Sequence, residues 1–115
     1  GEKNTFDGSE LKSVFKYTTI SISLDECVDF FNFPQPNHIK LDVDGIEHLI
    51  LSGALKTLKN TKSVLVEVNE NLKNNSEKCE KQLRESGLKF LKKTSLDYNN
   101  AGGFKNCYNH IWMRD

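Results

Sequence analysis

An open α/β architecture, in which helices cover a mainly parallel sheet and an antiparallel pair of strands closes one edge, is what this sequence predicts. Three observations predict it. Short β-branched blocks alternate with segments whose apolar residues recur at helical spacing. The block at 63–68 (SVLVEV) is apolar enough to be buried on both faces, as strands of parallel sheets are. The last two strand-like segments are separated only by a hairpin-length loop, which lets them pair antiparallel.

Taken in order, residues 1–16 form a polar N-terminal segment that begins without methionine, as a chain cut from something longer would. Residues 17–22 (YTTISI) are rich in β-branched side chains and read as a short strand. Ser23, followed three residues later by Glu26, is the capping-box pattern for a helix with Leu24, Cys27, Val28 and Phe31 facing inward. That helix has to end before Pro34 and Pro36. Residues 38–43 make the next strand, and Gly45 supplies a tight turn. From there Ile46, Leu49, Ile50, Ala54, Leu55 and Leu58 trace one amphipathic helix.

After the strand at 63–68, Ser76 caps a helix that turns Cys79, Gln82 and Leu83 inward, with Gly87 as its left-handed C-terminal cap. Residues 88–93 alternate as a strand, 96–105 (with Asn99, Asn100, Gly102 and Gly103) form a flexible turn, and 107–113 are the closing strand. Trp112 and the phenylalanines at 30, 31 and 33 are expected to fill the core.

At 115 residues the chain is a single domain. Sixteen basic side chains balance sixteen acidic ones, so net charge favours neither nucleic acid nor an acidic membrane as a partner. No apolar run approaches the ~20 residues that span a bilayer. Cys27, Cys79 and Cys107 are odd in number and widely spaced, which points to a reducing, cytoplasmic setting and to no zinc site. His38 and His110 are read as structural, and His48 as a surface residue.

The chemistry concentrates in 38–50 (HIKLDVDGIEHLI), where a strand runs into Asp42, Asp44 and Glu47. In open α/β sheets ligands bind beyond the carboxyl ends of the strands. Glu67 and Asn69, at the end of the next strand, would reach the same rim. A plainer reading makes Asp44 a helix cap and Glu47 a first-turn acid. A calcium loop is excluded, because the glycine follows Asp44 directly and the ligands are too few. The segment KLDVDGIE is also similar to the DxDGT strand end of haloacid-dehalogenase-like phosphohydrolases, with Asp42 as nucleophile and Asp44 as acid/base. Ile46 stands at the threonine position of that motif, and no downstream acidic pair offers magnesium a site.

Three blocks in order, ISISLDECVDFF, HIKLDVDGIEHLILSGALKTL and SVLVEVNE, resemble the C-terminal half of the FkbM-type S-adenosylmethionine-dependent methyltransferases. The resemblance implies the C-terminal half of a Rossmann-like class I fold, with S-adenosylmethionine as the cofactor of the full-length enzyme. It implies O-methyl transfer to a hydroxyl of a sugar or natural product, a small-molecule acceptor. Asp42 and Asp44 would be catalytic, and Glu47, Glu67 and Asn69 would lie near substrate or cofactor, with no metal. Asp44 departs from the glutamate usual in the family. The family's glycine-rich cofactor turn has no counterpart before Ser23, so residues 1–115 are expected to form one partial domain, inactive alone. A non-catalytic interaction module is the alternative. A sheet cut at that point would expose the edge of the 38–43 strand, predicting a homodimer or the 17–22 strand folded across it.

Overall fold

The computed structural model describes residues 15–95 and 105–115. Among the described residues eight elements follow in order: α1 (Leu24–Asp29), β1 (His38–Leu41), α2 (Glu47–Ser52), α3 (Leu55–Leu58), β2 (Ser63–Asn69), α4 (Lys73–Glu85), β3 (Lys89–Ser95) and β4 (Cys107–Met113). They build a small α/β unit around a four-stranded mixed sheet of order β1-β2-β4-β3. β1 and β2 are parallel, in the register Ile39 to Val64 and Leu41 to Val66. β4 runs antiparallel to both β2 and β3. Three strands therefore point one way and the last reverses. The expected antiparallel edge pair forms, with β3 at the edge and β4 inserted between it and β2.

Strand β2 corrects an expectation. Val64, Val66 and Val68 are buried while Ser63, Leu65 and Glu67 are only half-buried, so the strand is sealed on one face, not both. The sealed face packs Val64, Val66, Val68, Leu41 and Trp112 against Leu51 of α2, Leu58 of α3 and Cys79 and Leu83 of α4. Trp112 fills the core as expected, but Phe30, Phe31 and Phe33 are exposed. The proposed strand at 17–22 is absent: those residues are exposed and irregular, so no strand from there covers the open side of β1.

The α1 capping box forms, with Ser23 N–H donating to Glu26 Oε2 (2.8 Å) and Glu26 N–H to Ser23 Oγ (3.2 Å). The single helix expected from Ile46 is two. Gly53 ends α2 because α1 lies against it: a Cβ there would sit 2.9 Å from Ser23 Cβ. Asp25 then caps α3 from outside, accepting the amides of Lys56 (3.1 Å) and Thr57 (2.8 Å) and the Thr57 hydroxyl (2.7 Å). The break resets the helical phase, so Leu51, Thr57 and Leu58 are buried while Leu49, Ile50 and Leu55 stay exposed. α4 starts at Lys73, a turn before Ser76, whose hydroxyl donates to Lys73 C=O and caps nothing. It ends as expected: Gly87 has φ +87°, and its amide and that of Leu88 donate to Arg84 and Leu83 carbonyls. The expected turn at 96–105 lies, apart from Lys105, outside the described residues, as do residues 1–14. No helix among the described residues is long and apolar enough to cross a membrane.

Burial raises the Asp25 carboxyl, but the hydrogen bonds from Thr57 and Lys56 outweigh it and hold the group below its ordinary range. A depressed carboxyl contributes stability that is present above the ordinary aspartate range and is lost as pH falls through the folded-state value. Asp25→Ala is expected to cost about 1–2 kcal/mol at neutral pH, as caps do. In urea melts the gap between variant and parent should narrow towards pH 3; a gap constant with pH would contradict this account.

Candidate active site

The pairing of β1 with β2 stops at Leu41 and Val66; Asp42 then leaves the sheet, while Glu67, next along β2, stays paired with Asn109 of β4. Leu41 and Val43 face the core, so period-two alternation sends Asp42 to the opposite face, with Lys40. There the Lys40 ammonium sits 3.3 Å from the Asp42 carboxylate. Asp44 follows with φ +57° and Gly45 with φ +105°, a pair of left-handed residues that turns the chain back towards β2. Aspartate and glycine are among the residues that tolerate this conformation. One carboxylate oxygen from each of Asp42, Asp44 and Glu67 then lies within 4.8 Å of the others.

Three like charges at that spacing cannot all ionise easily. Glu67 is held above the ordinary glutamate range, first by its own burial and then by the charges of Asp42 and Asp44, with Lys40 opposing. Within the cluster Glu67 is half-buried, while Asp42 and Asp44 are open to solvent. The same spacing could be bridged by one divalent cation, although exposed carboxylates also gather without one.

Glu47, expected beside substrate, has a different position. It is 2% exposed, beneath the turn. Its Oε1 accepts the amides of Gly45 (3.1 Å) and, more loosely, Val43 (3.4 Å), and its Oε2 accepts Asn75 Nδ2 (2.7 Å). Asp44 does not cap α2: the N-cap is Ile46 and has no side-chain bond. Asn69 is buried at the end of β2, where its Oδ1 accepts the Asn71 amide and closes the turn into α4. The structure thus brings Asp42, Asp44 and Glu67 together, sets Glu47 beneath the turn that carries Asp44, and leaves Asn69 in the turn into α4.

The family model of the methyltransferase FkbM domain matches residues 2–98. The chain belongs to the FkbM methyltransferase family. No curated protein and no solved structure matches it. In this FkbM domain the acid cluster sits where the sequence pointed, at the mouth of two parallel strands.

Two contributors to the site carry no motif. Asn75 lies 28 positions after Glu47, in a polar helix start that resembles any other. Cys107 is buried next to the cluster, and its thiol is raised by that burial and by the charges of Glu67, Asp44 and Glu47. His48, read as a surface residue, is half-buried, its Nδ1 2.6 Å from Asn75 Oδ1. His38 and His110, read as structural, are set against Ser63 Oγ (2.7 Å) and Glu70 Oε1 (3.1 Å) respectively.

A carboxyl raised on folding costs stability as pH climbs from the ordinary glutamate range through its folded midpoint, and the cost is constant above that. Carboxyl-carbon NMR should place the Glu67 midpoint above the ordinary range, and Asp42→Asn or Asp44→Asn should each lower it. A midpoint insensitive to both substitutions would mean the three groups do not interact.

Proposed function

We propose that this chain is the acceptor side of a class I, Rossmann-like O-methyltransferase, with Asp42 or Asp44 taking the proton from an acceptor hydroxyl. The observation that carries the reading is the convergence of Asp42, Asp44 and Glu67 at the common end of parallel strands in an FkbM-family chain. The strand order, with three strands in one direction and a reversed one inserted, supports the Rossmann-like assignment.

S-adenosylmethionine, the cofactor the family implies, supplies an electrophilic methyl group when bound. This chain's carboxylates fit one part of it, since a cationic sulfonium is favoured beside clustered negative charge. The residues themselves do three things. Asp42 and Asp44, exposed at the rim, accept hydrogen bonds from an acceptor hydroxyl and fix its oxygen in line for attack. One of them accepts its proton as the oxygen gains its new bond, a contribution of roughly 10²–10⁴ in rate. Glu67, half-buried and raised by its burial and by their charges, closes the rim from the β2 side. Substrates with vicinal hydroxyls, such as sugars or polyols, match a rim with several carboxylate acceptors. The remaining cofactor contacts belong to the front half of such a fold, so residues 1–115 by themselves are expected to be inactive. Self-association through the open side of β1 accompanies this reading.

The test is methyl transfer from labelled S-adenosylmethionine to a panel of sugars and polyols by the longest natural polypeptide that contains this chain. Asp42→Asn or Asp44→Asn should lower kcat by roughly 10²–10⁴ while leaving the KM for S-adenosylmethionine within a few-fold. Retention of full kcat in both variants would remove the proton-acceptor role.

A further inference from the structure

Beneath the acid cluster, Glu47 is held by a residue from a distant element. Asn75 is buried in α4. Its Nδ2 donates to Glu47 Oε2 at 2.7 Å. Its Oδ1 accepts the His48 amide at 3.1 Å and lies 2.6 Å from His48 Nδ1, which must carry the proton because an amide oxygen only accepts. Both ends of the amide are committed, so it cannot turn over without losing bonds to a neighbour. Two turns on, Gln82 Nε2 donates to His48 C=O at 3.1 Å, so α4 holds the first turn of α2 at two points.

We propose that Asn75 is a positioning residue for the acid cluster: acting through Glu47, it sets the backbone of the 43–45 turn and thereby the aim of Asp44. The proposal deepens the reading of that cluster as the proton acceptor and rests on it, but its test needs no turnover. The connection is continuous. Asn75 fixes the Glu47 carboxylate, and Glu47 fixes the amides of Val43 and Gly45, which flank Asp44 on either side. Asp44 at φ +57° is a conformation with a cost for any residue other than glycine, and it persists only where the surroundings hold it. Without the Asn75 donor, Glu47 is a buried carboxylate short of a partner and has reason to swing towards water. Its grip on the turn goes with it.

The experiment exchanges donor and acceptor across the Glu47–Asn75 contact. Glu47→Gln alone opposes two amide NH₂ groups, and Asn75→Asp alone opposes two buried carboxylates. In the double variant Glu47→Gln/Asn75→Asp, the bond between the two side chains re-forms with donor and acceptor exchanged, and the backbone amides keep their acceptors. The readouts on the 115-residue chain are two NMR quantities. One is the left-handed signature of Asp44 in its three-bond amide coupling and α-carbon shift. The other is amide exchange at Gly45 relative to Val66 in the core. Each single variant should erase the Asp44 signature and speed Gly45 exchange at least tenfold relative to Val66, and the double variant should restore both. Leu83→Ala, a core truncation on the same helix, should speed both amides together and leave the signature intact. If Asn75→Asp does not fold, Asn75→Ser, too short to reach Glu47, takes its place in the comparison. Single variants that behave like Leu83→Ala, or a double variant no better than the worse single, would overturn the proposal. A chain that shows the latch but belongs to an enzyme indifferent to Asp42 and Asp44 would leave the latch standing and remove only the proton-acceptor role.

Discussion

A carboxylate buried to 2% exposure constrains everything around it. Moving an ionised group out of water costs several kcal/mol unless hydrogen bonds replace its hydration. Glu47 receives three, from Gly45, Val43 and Asn75. Those donors come from the turn after β1 and from α4, so satisfying one side chain joins the strand end, α2 and α4 at a single point. The negative charge at that point is felt nearby. The Cys79 thiol, one turn along α4 from Asn75, is pushed up to about 12 by its burial and by Glu47, and is inert as a nucleophile at neutral pH.

What was legible in the sequence was what local chemistry decides. The Ser23–Glu26 capping box, the Gly87 cap and the β-branched run of β2 are fixed by neighbours a few residues away, and all three formed as read. The convergence of Asp42 and Glu67 was also legible, because two parallel strands in a common register bring their ends together whatever else surrounds them. The failures have a shared cause. Gly53 ends a helix only because Ser23 arrives against it, and Asp25 restarts one from 31 positions away. Neither contact leaves a trace in the periodicity of 46–58.

The phenylalanines teach a related lesson. Phe30, Phe31 and Phe33 lie at the end of α1 and just beyond it, where Asn32 takes φ +54° and turns the chain away. Hydrophobicity alone placed them in the core. The sealed face of the sheet was already filled by Leu51, Leu58, Leu83 and Trp112, leaving them on the surface. A 115-residue chain has one interior of limited volume.

The period of two along the strands separates stability from chemistry. Val64, Val66 and Val68 face the core, and Glu67 between them faces the other way; Leu41 and Val43 flank Asp42 in the same manner. Replacing Asp42 or Glu67 therefore removes no packing, and a one-residue slip of β1 against β2 would invert both sets at once. Register is thus protected by the core, and the core holds the acids in place without touching them. Asp44 is outside that protection, because it lies in the left-handed turn beyond Val43, where the core-packed stretch ends. Its position depends on the turn, the turn on Glu47, and Glu47 on a helix that contributes nothing to the cluster directly. Of the three clustered acids, two are fixed by the sheet and the third by a buried hydrogen-bond chain, so disturbance of α4 moves Asp44 relative to its partners while leaving the strands aligned.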